Sequence, residues 1–211
     1  MSLTRISLLG VACYAISGCS GMSEQACVTA DWRTVGFEDG TFGRSEAMIG
    51  RYRQQCSDHG VAPDLDSYRA GHAEGVRVYC RESNGFAVGH SGASYQGVCP
   101  ADLEAAFVAE YNAGRQLHDL ESALAGVDSR IASNYRAQEN IKQELTQIAT
   151  KMIASDTTPE QRVAMVTRSA DLGRRYGELT TDIQQLERER ALAERDLIDY
   201  RQALAGTFTP P

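Results

Sequence analysis

The sequence predicts a mainly α protein: a small, disulfide-stapled Gly/aromatic helical module followed by a long antiparallel helical hairpin of coiled-coil type. Three observations carry this. Four cysteines and 11 of the 19 glycines of the 211-residue chain fall between Cys27 and Cys99, interleaved with aromatic residues. Beyond Pro100 the pattern changes to sustained heptads. A Pro-initiated capping signal splits those heptads into two arms of similar length.

The chain opens with a secretory signal over residues 1–18. Arg5 supplies the charged start, and the apolar run Ile6 to Ile16 is too short to span a bilayer as a helix. Ile16-Ser17-Gly18-Cys19 follows and resembles the lipobox of bacterial lipoproteins, in which two small residues precede the cysteine that receives diacylglycerol. The resemblance implies cleavage before Cys19, acylation there with chains such as palmitate, and a tether over residues 19–30. Several acyl chains on one cysteine anchor far better than one. Ser20 stands after the cysteine where Asp would favour the inner membrane, so the expected address is the outer membrane, with the protein facing the periplasm.

The net charge is −7, and of the 21 basic residues only Lys142 and Lys151 are lysines. An acidic chain with dispersed arginines is neither a nucleic-acid binder nor a charge-driven binder of anionic headgroups. Its expected partners are the membrane, through the N-terminal lipid, and an unknown periplasmic or envelope protein.

With Cys13 removed and Cys19 acylated, Cys27, Cys56, Cys80 and Cys99 remain, an even number in an oxidising compartment. Successive gaps of 29, 24 and 19 contain no C-x-x-C pair, which weighs against zinc. Three disulfide pairings are possible. Cys27–Cys56 with Cys80–Cys99 is preferred among them because each bond closes a local loop.

Residues 31–116 form the Gly/aromatic module. Glycines recur four apart, as in Gly36/Gly40, Gly71/Gly75 and Gly85/Gly89, which on a helix puts both on one face and lets another backbone approach. Helices are expected near Ser45–Cys56 and Asp66–Cys80, the second capped by Asp64 or Asp66 after Pro63. The stretch Arg81–Pro100, with Asn84-Gly85 at its head, is expected as a loop or small hairpin.

The ordered set Trp32…Gly36-Phe37-Glu38-Asp39-Gly40…Gly43, Cys56, Pro63-Asp64, Tyr68…Gly71…Gly75…Tyr79-Cys80, Asn84-Gly85…Gly89…Gly92…Tyr95-Gln96-Gly97…Cys99-Pro100 and Tyr111…Gly114 resembles a proteobacterial lipoprotein family defined by a domain of unknown function. The resemblance covers about residues 31–116. It implies an envelope address and carries over neither an activity nor catalytic residues.

The hairpin occupies residues 117–206, before a short tail at 207–211. Leu117, Leu120, Leu124, Val127, Ile131, Asn134, Gln138, Ile141, Leu145, Ile148 and Met152 alternate in steps of three and four, which is a heptad seam with a polar step at Asn134 and Gln138. Thr158-Pro159-Glu160-Gln161 reads as a capping box. The second seam runs Met165, Ser169, Leu172, Tyr176, Leu179, Ile183, Leu186, Arg190, Ala193, Leu197, Tyr200 and Leu204. Antiparallel matching pairs Met152 with Met165, Leu145 with Leu172, Ile141 with Tyr176, Ile131 with Leu186, Leu124 with Ala193 and Leu120 with Leu197.

Chemistry is sparse. Gly89-His90-Ser91-Gly92 looks superficially like a nucleophile elbow, yet no buried strand precedes it as that turn requires. Glu38 and Asp39 diverge on a helix and read as solvated charges. His59, His72, His90 and His118 lack metal-site spacing, so no metal, cofactor or catalytic residue is expected. Trp32, Tyr68, Tyr79, Tyr95 and Tyr111 are expected to fill a small core. The function expected from all this is a non-enzymatic scaffold or adaptor. The alternative is a periplasmic enzyme or glycan-binding module whose surface or pocket in residues 31–100 uses Trp32, Tyr68, His72, His90 and Tyr95.

Overall fold

The structure is a computed structural model and describes residues 22–207. The signal segment, the lipobox and Cys19 lie outside the described residues. Those that are described form seven helices and no strand: α1 (Glu24–Thr29), α2 (Trp32–Thr41), α3 (Met48–Ser57), α4 (Leu65–Tyr79), α5 (Glu82–His90), α6 (Ala101–Met152) and α7 (Pro159–Thr207). The fold is therefore mainly helical, with two disulfides in the N-terminal half and two long helices after them. It divides into two compact units between Val78 and Tyr79.

In the first unit, side-chain caps start α1, α2 and α4, while α3 begins after Ala47 without one. Ser23 Oγ accepts from the Ala26 amide at 3.2 Å ahead of α1. Asp31 accepts from the Arg33 amide at 3.1 Å and from Thr34 Oγ1 at 2.7 Å ahead of α2. Ahead of α4 it is Asp64 that caps, with 3.1 Å bonds from the amides of Asp66 and Ser67. Each cap satisfies amides that have no partner within their helix.

Helices α2 and α4 run parallel and touch backbone to backbone. A Cβ on Gly36 would stand 2.0 Å from the Tyr68 carbonyl oxygen, and one on Gly40 would stand 2.5 Å from that of His72. Conversely, a Cβ on Gly71 or Gly75 would stand 1.9 Å from the carbonyl oxygen of Arg33 or 2.2 Å from that of Phe37. The four-residue spacing thus admits a neighbouring helix, at the cost of about 1 kcal/mol of helix propensity per glycine. Parallel neighbours need a crossover; here it contains α3, tied back to α1 by Cys27–Cys56. Around that bond lies the core cluster of Cys27, Trp32, Ile49, Cys56 and Tyr68.

The second unit repeats the device. The stretch expected as a loop or small hairpin over Arg81–Pro100 instead contains α5. Its glycines pack: a Cβ on Gly85 would meet the Phe107 carbonyl oxygen at 2.4 Å, one on Gly89 that of Tyr111 at 2.0 Å, and one on Gly114 that of Phe86 at 2.1 Å. Helices α5 and α6 are therefore also parallel. Asn84, expected in a turn, donates from Nδ2 to the Tyr79 carbonyl at 2.8 Å inside the first turn of α5. Burial of this face against α6 overrides the low helix propensity of Asn84-Gly85. The crossover returns through Gly92 and Gly97, both with positive φ, and is closed by Cys80–Cys99. The preferred disulfide pairing is the one found.

Helices α6 and α7 contain 52 and 49 residues, which at 1.5 Å per residue is about 78 and 74 Å. All the seam residues read from the sequence are buried or half-buried. Cross-helix bonds set the same register: Asp128 with Arg190 at 2.6 Å, Gln138 Nε2 to Thr180 Oγ1 at 2.8 Å, and Glu144 with Arg168 at 2.7 Å. At the tip, Thr158 N donates to Gln161 Oε1 at 2.8 Å and Gln161 N to Thr158 Oγ1 at 3.3 Å, completing the capping box. At the base, Tyr200 Oη donates to the Ala113 carbonyl at 2.8 Å.

Candidate functional site

Two polar clusters are the candidates for chemistry, one in each unit. The first centres on Asp39. Expected as a solvated charge, it is instead 1% exposed on the inner face of α2. Its Oδ2 accepts from Tyr68 Oη of α4 at 2.7 Å, and its Oδ1 accepts from Tyr52 Oη of α3 at 3.2 Å and from Arg44 Nη1 at 2.8 Å. His72 Nε2 donates to the Arg44 carbonyl at 2.7 Å, and its ring stacks on Tyr68 with centroids 6.0 Å apart.

These groups constrain one another. Burial, followed by the Asp39 carboxylate beside it, pushes the Tyr68 phenol well above its ordinary range. Burial raises Tyr52 too, and the bond to Asp39 raises the Arg44 guanidinium. Tyr68 therefore stays a protonated donor, and Asp39 has both oxygens occupied by fixed donors. Such a carboxylate joins α2, α3 and α4 and the turn at Arg44 into one piece. Its lone pairs are taken up by these three donors, which is a structural use of the carboxylate.

Of the residues singled out from the sequence, Trp32, Tyr68 and His72 are buried in the first unit, where Trp32 and Tyr68 flank the ring of Tyr52 at 6.0 and 6.2 Å. His90 and Tyr95 belong to the second unit. Tyr95 is half-buried, its ring 5.2 Å from Phe107 and 5.9 Å from Tyr111, while its Oη accepts from the Cys99 amide at 3.0 Å. These aromatics fill interior space and hold the crossover in place. Cys27, Cys56, Cys80 and Cys99 are all disulfide-bonded.

The second cluster lies at the base of the hairpin. Glu121 accepts from His90 Nε2 at 2.8 Å and from Arg201 Nη2 at 2.7 Å, and His118 Nδ1 donates to the His90 carbonyl at 3.0 Å. The bond from Arg201, then that from His90, holds the Glu121 carboxyl below its usual value. This joins the last turns of α7 to α5 and α6. Among the described residues no group of three or more His, Cys, Asp or Glu side chains is arranged to hold a metal. Grooves open instead along the hairpin, one lined by Arg130, Asn134, Asp182 and Leu186, another by Ile141, Glu144, Leu172 and Leu179.

One organising signal was open to sequence reasoning and was missed, an internal repeat. Cys56-x11-Tyr68-x-Ala70-Gly71 is matched by Cys99-x11-Tyr111-x-Ala113-Gly114. Gly36-Phe37-x2-Gly40-x2-Gly43 is matched by Gly85-Phe86-x2-Gly89-x2-Gly92, and Gly43 and Gly92 both have positive φ. The copies diverge at Asp39, which is answered by Val88, so only the first unit carries the buried carboxylate.

No curated protein and no solved structure matches the chain. Residues 31–116, from the cap of α2 to just past Gly114 and so spanning both glycine crossings, match the model of a family described as a protein of unknown function, DUF2799.

Proposed function

We propose that this protein is a lipid-anchored scaffold or adaptor of the bacterial envelope. It is held by acyl chains on Cys19 at the periplasmic face of the outer membrane, and it uses its hairpin to hold a periplasmic or envelope partner. In this reading the DUF2799 module is that of a proteobacterial lipoprotein family. The observation that carries the proposal is the hairpin itself. Its seam is satisfied between α6 and α7 alone, which leaves the outer faces of both helices in solvent over most of their length. A pair of helices whose seam residues are covered along its length, and which extends tens of ångströms from its base, is suited to reaching a partner.

Other features support the reading. The run from Arg5 to Cys19 has the order of an exported lipoprotein precursor, and two disulfides fit an oxidising compartment. No helix among the described residues is long and apolar enough to cross a membrane. The rival reading, an enzyme or glycan-binding module, draws on Trp32, Tyr68, His72, His90 and Tyr95, of which the first three are packed inward and the last two are half-buried.

In-cell crosslinking with identification of the captured proteins tests the proposal. Deleting Ser122–Ala193 and bridging the gap with a short Gly/Ser linker keeps Glu121 with Arg201 and Ala113 with Tyr200, so the base of the hairpin retains its ties. The expected result is an oxidised, membrane-held protein that has lost most crosslinks. A truncated protein that keeps its partners would place the function in residues 31–116. Normal processing and membrane retention of Cys19→Ser would remove the anchor from the proposal.

A further inference from the structure

Helix α7 carries a second heptad pattern beside its seam, of which Thr180 also accepts the Gln138 bond from α6. Val163, Val166, Ala170, Gly173, Gly177, Thr180 and Gln184 alternate in steps of three and four, and all seven are exposed. From Val166 onward each stands one position beyond a seam residue, so the stripe lies about 100° around the helix from the seam. Its tip end is apolar: Val163 and Val166 are 68% and 56% exposed, and Ile153, at the end of α6, is 85% exposed. A Cβ on Gly173 or Gly177 would meet nothing within 4 Å.

We propose that this stripe is a homodimer interface on which α7 of a second copy packs in parallel, Val166 against Val166 and Gly173 against Gly173. The charge pattern identifies the occupant and its direction. In a parallel two-fold pair every stripe residue faces its own copy, so any charged residue would face a like charge. All seven are uncharged, although the helix is otherwise dense in Arg, Asp and Glu. The stripe ends at Glu187, whose carboxylate accepts from Tyr135 Oη at 3.1 Å. Arg174, beside the glycine pair, is already held by Asp171 and Glu178, at 2.6 Å each. An antiparallel partner in the register that overlaps the whole stripe would instead set Val163 against Glu187 and Val166 against Gln184, apolar against polar. The glycine pair agrees with a parallel partner: Gly36/Gly40 with Gly71/Gly75, and Gly85/Gly89 with Gly114, are both parallel crossings.

The stripe is about 33 Å long. One helix–helix contact of that length buries well under the roughly 800 Å² per partner of a stable complex, so the dimer is weak in solution. It is strengthened wherever two copies are confined together. It forms in solution with or without a lipid anchor, and its outcome is separable from the capture of other proteins by the hairpin.

The test uses the full mature chain with its disulfides intact. Sedimentation velocity from low micromolar to submillimolar concentration is expected to show a reversible dimer. Val166→Glu, at a position that is 56% exposed in the monomer, is expected to raise the dissociation constant at least about tenfold with helix content unchanged. Val166→Cys alone and Gln184→Cys alone should each form covalent dimers on mild oxidation. Three results would overturn the proposal. One is a monomer throughout the range with neither cysteine crosslinking. A second is crosslinking only when the two variants are mixed, which marks an antiparallel pair. The third is a Val166→Cys adduct in cells solely with a different protein, which marks a heterologous partner.

Discussion

Glycine-to-alanine substitution should have opposite signs at two positions of the first unit. At Gly71 the new methyl would stand 1.9 Å from the Arg33 carbonyl oxygen, 2.8 Å from its carbon and 3.0 Å from the Phe37 amide. Carbon–oxygen contacts settle near 3.3 Å, so α2 and α4 would have to part by more than about 1 Å at their crossing. Alanine returns about 1 kcal/mol of helix propensity. Against that, overpacking a rigid contact costs about 1–3 kcal/mol or more, and parting the helices also loosens the other three glycine contacts and stretches the bonds around Asp39. The net expectation for Gly71→Ala is a loss of about 2–4 kcal/mol, a large share of what a unit this small can hold. Gly50 of α3 has nothing within 4 Å of its Cβ position and no positive φ, so Gly50→Ala should gain about 0.5–1 kcal/mol. Trp32, the chain's single tryptophan, is 7% exposed in this unit's core and reports its unfolding by fluorescence in urea. A Gly71→Ala protein as stable as wild type, or more so, would refute the backbone-contact account of the crossing.

Two further expectations concern the buried phenol and the hairpin register. Tyr68 has a raised folded-state pKa, so its stabilising contribution is complete below the unfolded value near 10 and is lost as pH rises above it. Urea titrations read by Trp32 should therefore show the first unit weakening above about pH 10. Tyr68→Phe should start less stable at neutral pH, by about 1–3 kcal/mol for the stranded acceptor, and show a shallower alkaline slope. An unchanged slope would mean that Tyr68 is not the group responsible. In the hairpin, cysteines replacing Gln138 and Thr180, whose side chains bond at 2.8 Å, should crosslink within one chain. Cysteines at Gln138 and Glu187, displaced by one heptad or about 10 Å of helix, should not, and the reverse pattern on non-reducing gels would disprove the register.

The hairpin was legible because a two-helix seam writes itself into the sequence once per half-heptad, and nothing but the facing helix is needed to satisfy it. Leu145, Leu172 and Leu186 announce their burial by position alone. Helix α5 was illegible by the same logic reversed. Gly85 and Gly89 lower intrinsic helicity, and what compensates is contact with α6 some twenty residues away, which no local window contains. Asp39 failed for a related reason. A carboxylate beside Glu38 near a helix end looks solvated until Tyr52, Tyr68 and Arg44 arrive from three separate segments. The repeat of Cys-x11-Tyr-x-Ala-Gly was the available sign that glycine spacing here encodes helix pairs, and it would have placed α5 correctly.

The parallel crossings also govern how the chain reaches its native state. Two antiparallel helices have a tight turn to zip from, as α6 and α7 have at Thr158, whereas a parallel pair has no turn to start from. The contact of Gly36 with Tyr68 must be made across more than thirty residues, and that of Gly85 with Phe107 across more than twenty, with the loop entropy lost before any packing is gained. The disulfides span these same segments: each fastens the crossover to the chain ahead of the first helix and so pre-closes much of the loop. Renaturation started from the oxidised, urea-unfolded chain should therefore regain Trp32 burial faster than renaturation of the reduced chain. The hairpin signal should return at a rate indifferent to thiol state.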